Sequence, residues 1–153
     1  MNPLFKYFAK RIIVCVHPKQ FVFTCAKDKF ELSIPTFVYI DNSLEKSYLL
    51  GIGEEWPNDQ PLKPEVYRID IFEYKQPLPP KTTFSRYDLL EAIIAYGIGK
   101  TLEKTFYPVL RPIVFILDAD QLNGVLINPR EKLLTAAKGG GAITVIFDRT
   151  EIE

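Results

Sequence analysis

The hydrophobic pattern changes period half-way along the chain. In the first half, apolar residues come in short β-branched or aromatic runs at 12–16, 21–25, 30–33, 36–40 and 48–52. Runs of this length bounded by turn residues predict strands. His17-Pro18-Lys19-Gln20 and Lys27-Asp28-Lys29 are the turns between the first three, and Asp41-Asn42-Ser43 opens a polar loop. Pro35 cannot donate to a ladder, so a bend or a sheet edge is expected there. Residues 57–80 hold six of the twelve prolines and frame an alternating stretch from Val66 to Tyr74. Alternation puts Val66, Arg68, Asp70, Phe72 and Tyr74 on one face of a strand, with Tyr67, Ile69, Ile71 and Glu73 on the other. We expect 57–80 to be a Pro-rich insertion beside the main sheet, too short to be a separate domain.

The second half has helical period. Ser85-x-x-Asp88 is a capping box, and Leu89, Leu90, Ile93, Ile94, Gly97 and Ile98 form an apolar stripe. This helix should run to about residue 105, before Pro108. Gly97 and Gly99 each cost about 1 kcal/mol relative to Ala inside a helix, so close packing against the sheet is expected at them. Ile113 to Leu117 is a continuous apolar run, as in a strand buried on both faces. Asn128, Pro129 and Glu131 mark a helix start at N-cap, N1 and N3, and Gly139-Gly140-Gly141 stops that helix after Lys138. Residues 142–147 form the last strand. A closing strand–helix–strand unit demands a parallel pair with a right-handed crossover. The reading is one α/β domain over residues 1–153, ribonuclease H-like in order: a mixed sheet of antiparallel strands followed by α-β-α-β.

Composition narrows the function. The 153 residues fit one domain. Nineteen Lys and Arg balance nineteen Asp and Glu, which argues against nucleic-acid binding through bulk positive charge. No apolar run approaches a membrane span, and the two cysteines make no disulfide framework, so a cytoplasmic protein is expected. In residues 1–11, Leu4, Phe5 and Phe8 share a helical face beside Lys6, Lys10 and Arg11. A short membrane-surface anchor is one reading; the segment's shortness favours a lead-in that packs its aromatics on the domain.

Several residue groups are candidates for chemistry. Cys15 and His17 lie two apart on one strand face and, with Cys25, offer metal-ligand atoms. A structural zinc site wants four ligands and no Cys-x-x-Cys is present, so buried small hydrophobes are the better reading of the cysteines. Asp118 and Asp120 follow the buried strand, where a nuclease would hold metals; a polar turn at a strand end is the simpler reading. Gly139-Gly140-Gly141 follows a helix, so it presents no helix N-terminus to a phosphate. Trp56, Tyr67, Phe72 and Tyr74 are the candidate partner surface, because aromatic residues anchor interfaces and an alternating strand can offer an edge.

The segment Ile34-Pro35-Thr36-Phe37-Val38-Tyr39-Ile40-Asp41 resembles the Glu-Pro-Ser-Val-Val-Ala-Ile-Asp segment of the MreB family, the bacterial actin-like rod-shape-determining proteins. Leu50-Gly51-Ile52-Gly53-Glu54-Glu55 is similar to that family's Leu-Ala-Val-Gly-Glu-Glu. Residues 88–98 resemble the helix closing the first half of its first domain, and residues 130–142 resemble its second helix and glycine stop. The likeness implies a half of an actin-like fold. It also implies where a phosphate loop, Asp-x-Gly-Thr, would fall: counted without gaps, on Cys15-Val16-His17-Pro18. A thiol is a poor magnesium ligand, His17 puts a side chain where the backbone must approach, and Pro18 removes an amide donor.

The expectation is therefore a non-catalytic protein-interaction or assembly module without a cofactor, acting through a protein partner or self-association. The alternative is an ATP- and Mg-binding or phosphoryl-transfer protein whose cleft is completed by a second chain.

Overall fold

The computed structural model describes residues 10–25, 30–53, 63–103 and 111–149. β1 (Arg11–His17) and β2 (Gln20–Cys25) form a hairpin around Pro18-Lys19, with His17 opposite Gln20. β3 (Phe30–Pro35) continues the meander on β2. β4 (Phe37–Asp41), β5 (Tyr48–Ile52) and β6 (Val66–Asp70) form a separate antiparallel sheet, in the order β5-β4-β6. The chain then makes α1 (Arg86–Glu103), β7 (Ile113–Leu117), a 3₁₀ turn (Ala119–Leu122), α2 (Pro129–Gly139) and β8 (Thr144–Phe147).

The main sheet runs β3-β2-β1-β7-β8. β1 pairs parallel with β7, and β7 parallel with β8. This is the ribonuclease H-like order that the change of period predicts. The division into two sheets is not visible in the periodicity, which runs the early strands into one. Its cause is the corner at Pro35-Thr36. Thr36 is buried, and its N–H donates to the Lys19 carbonyl at 3.1 Å. Its hydroxyl donates to the Pro18 carbonyl at 3.1 Å, and its own carbonyl accepts from Ile71 N–H at 2.9 Å. One residue thus ties the β1–β2 turn to the end of β6 and turns the chain from one sheet into the next.

The expected strand 66–74 stops at Asp70. The Asp70 carboxylate accepts the Phe72 N–H at 3.0 Å, an Asx-type turn that ends the alternation. Ile71 and Phe72 then both enter the core, and Phe72 packs edge-on against Phe21 with ring centroids 6.2 Å apart. Segment 57–80 contributes β6, an edge strand of the smaller sheet.

α1 packs across β2 and β3 and against α2. Its capping box forms as expected: Ser85 N–H donates to Asp88 at 2.8 Å, and Asp88 N–H to the Ser85 hydroxyl at 3.1 Å. The stripe Leu89, Leu90, Ile93, Ile94, Gly97 and Ile98 is buried. Gly97 lies against the fully buried Phe23 ring, while Gly99 faces open space. Close packing therefore explains one glycine and not the other.

α2 begins differently from expectation. Asn128 stands at N-cap, but with φ 50° and without a side-chain cap bond. Its carbonyl accepts Lys132 N–H at 3.1 Å, which closes the first turn. The helix ends in a Schellman motif: Gly141 N–H donates to the Lys138 carbonyl and Ala142 N–H to the Ala137 carbonyl. Gly141, at φ 114°, takes the left-handed position that needs no Cβ. The buried faces of both sheets, α1 and α2 share one core. No helix among the described residues is long and apolar enough to cross a membrane.

Candidate functional site

β1, β7 and β8 run parallel, so their carboxyl ends fall at one edge of the main sheet. Open α/β sheets bind ligands just outside such ends. The residues delivered there are Cys15 to Lys19 from β1 and its turn, Asp118 after β7 and Asp148 after β8. Asp118 and Asp148 both take positive φ, 61° and 59°, so each of the two strands is followed by a left-handed residue.

The β1–β2 turn decides what this edge can hold. A phosphate loop works by aiming free backbone N–H groups at an anion. Pro18 has no N–H. The Lys19 N–H donates to His17 Nδ1 at 3.1 Å. His17 and Gln20 face one another across the hairpin ladder. The carbonyls of Pro18 and Lys19 are both held by Thr36. The one N–H between the two strands is therefore already engaged, and Thr36 holds the turn in that state. The ammonium of Lys19 is exposed and lies 3.7 Å from the Asp70 carboxylate.

The Cys15 thiol donates to Asp118 Oδ2 at 3.3 Å. Burial, then this hydrogen bond and the charge of Asp118, push the thiol's pKa above its ordinary value. The thiol therefore stays protonated through neutral pH. Because the folded pKa is the higher one, this contribution to stability is complete below the ordinary thiol value and is lost as pH rises past it.

Asp120 turns away from Asp118 toward Arg130. The Arg130 guanidinium reaches Asp120 Oδ1 at 3.5 Å and also pairs closely with Asp148. Both carboxylates hold the guanidinium pKa up. The guanidinium carbon lies 5.3 Å from the centroid of the Phe147 ring. Arg130 thus links the ends of β7 and β8 to the first turn of α2. A cavity of about 320 Å³ opens beside it, lined by Asp120, Asn123, Asn128, Pro129, Arg130 and Glu131. Sequence reasoning did not single out Arg130 or Asp148. The available signal was an Asp directly after each of two apolar strand runs.

The remaining candidates separate in space. Cys25 pairs with Ile12, three residues from Cys15 along β1, so the two cysteines lie on opposite faces of the sheet. Cys15, His17 and Cys25 therefore do not converge. Asp118 and Asp120 likewise serve different partners, and among the described residues no group of three or more His, Cys, Asp or Glu side chains could hold a metal ion. Of the candidate interface, Tyr67 and Tyr74 are exposed. Phe72, expected at that surface, is instead a core residue, because the Asp70 turn swings it inward. Trp56 and residues 1–9 lie outside the described residues.

No protein-family model and no curated protein sequence matches the chain. Solved structures do. The structure of MreB5 of Spiroplasma citri bound to AMPPNP matches over 93% of this chain, with a TM-score of 0.60 and 14% identity. MreB5 of the same organism bound to ADP matches over 93%, with a TM-score of 0.62 and 14% identity. The fold is part of an actin-like one. The chain spans 39% and 38% of the length of those two proteins. The order of elements, the two sheets and the parallel β1-β7-β8 core make up an actin-like half.

Proposed function

We propose that this actin-like half is a non-catalytic interaction or assembly module, acting in a cytoskeletal or cell-shape assembly through a protein partner or copies of itself. The observation that carries the reading is the closed β1–β2 turn. Cys15, His17 and Pro18 stand where the MreB-like pattern has its phosphate loop, and the one N–H between the strands is spent on His17. The carboxyl at the end of β7 is engaged by a thiol, a weak hydrogen-bond donor and a poor magnesium partner. The relation to cell shape rests on likeness of fold to MreB5, and the absence of catalysis rests on the turn.

The second reading is a nucleotide or phosphoryl-transfer site completed by another chain. It is favoured by the cavity at Arg130, which lies beside the ends of β7 and β8. Sedimentation velocity separates the two. A module that assembles without nucleotide shows a concentration-dependent sedimentation coefficient that ATP and Mg²⁺ leave unchanged. A coefficient that responds to ATP and Mg²⁺ favours the second reading.

A further inference from the structure

A second cavity, of about 350 Å³, lies away from the strand ends. Ile71, Phe72, Leu90 and Leu126 supply apolar wall, and Tyr74, Arg86, Tyr87 and Lys132 supply the polar atoms around it. Its size falls in the lower part of the range for small-molecule sites, and the mixture of apolar wall with a few convergent polar groups is characteristic of them.

Its charge is one-sided. Arg86 donates to the carbonyls of Asp70 at 2.9 Å, of Ile71 at 3.4 Å, and of Gln76. Those bonds fix the guanidinium in place but bring it no counter-charge. The guanidinium carbon lies 5.4 Å from the Tyr74 ring centroid. Lys132 is half-buried and forms no ion pair among the described residues. No carboxylate lines the cavity. The Tyr87 hydroxyl is buried, and Glu91, one turn on, lies beside it: burial, then the charge and hydrogen bonding of that carboxylate, raise the phenol's pKa.

We infer that this cavity binds a small amphiphilic carboxylate, with the chain or ring against Leu90 and Leu126 and the carboxylate taking Lys132 and Arg86. Two positive groups select an anionic acceptor, and the apolar wall selects a hydrocarbon body. The inference is independent of the module reading, because the cavity shares no residue with the β1–β2 turn.

The test is titration calorimetry of the full chain with decanoate below its micellar concentration, beside decanol as the uncharged analogue. The expected result is saturable one-to-one binding of decanoate, with decanol at least about tenfold weaker. Lys132→Gln is a partly exposed change that leaves the core intact, and it should weaken decanoate about tenfold while leaving decanol unchanged. Absence of saturable decanoate binding to the folded wild-type chain overturns the inference. So does equal binding of decanoate and decanol, or decanoate binding that Lys132→Gln does not change.

Discussion

Gly97→Ala is expected to destabilise the domain by about 2–3 kcal/mol, although Ala is the better helix former. A Cβ at this position would enter the Phe23 ring, which is fully buried between β2 and α1. The ring cannot retreat, since a packed core leaves few voids wider than a water molecule. The helix must instead lift from the sheet. Gly99→Ala, two residues on, is expected to do the reverse and stabilise by about 0.5–1 kcal/mol, because nothing lies near its Cβ position. Thermal melts of the two variants measure this contrast, at about 2–4 °C per kcal/mol for a chain of this size. Phe23→Leu in the Gly97→Ala background should recover part of the loss by making room. Equal effects of the two glycine changes would show that α1 is not seated on Phe23.

The second large effect is expected at Cys15→Asp. The new carboxyl would sit where the thiol now donates to Asp118 at 3.3 Å. Two like charges so close cannot both be tolerated in a partly buried place, so one carboxyl of the pair holds its proton to higher pH in the folded state than in the unfolded chain. The cost at neutral pH is about 1–3 kcal/mol. The raised pKa sets the sign. The penalty is absent below the ordinary carboxyl range and grows as pH rises through the raised value. Urea melts of this variant and the wild type should therefore converge on acidification and separate at pH 7. ATP affinity should not appear in the variant, because Pro18 still lacks an N–H and His17 still holds that of Lys19.

Where elements are specified by neighbours in sequence, they were legible. The Ser85–Asp88 box, the α1 stripe and the apolar run of β7 all formed where their local pattern places them. The parallel β1-β7-β8 core followed from topology rules once those elements were in place. What stayed hidden depends on contacts distant in sequence. Thr36 looks like one more strand residue, and only the fold reveals that it binds Pro18, Lys19 and Ile71 and so splits the strands into two sheets. Phe72 continues an alternating pattern in sequence, yet the Asp70 carboxylate two residues earlier turns the chain and buries it. Gly97 and Gly99 are indistinguishable as letters and differ only in what faces them.

The site was half legible. Cys15, His17 and Pro18 stood out only through the resemblance, which, counted without gaps, implies a phosphate loop at their positions. That the His17 ring takes the Lys19 amide and Thr36 holds both turn carbonyls is visible only in the folded turn. Arg130 between Asp120 and Asp148 joins residues from three elements, and no local pattern announces it.

With the carboxyl end of β1 closed to a nucleotide phosphate, titration calorimetry of the purified, tag-free chain with ATP and Mg²⁺ should give no saturable heat up to millimolar nucleotide. Saturable binding near micromolar would contradict that closure, and would mean either that the His17–Lys19 turn opens to release its amide or that the phosphates sit elsewhere along the strand ends.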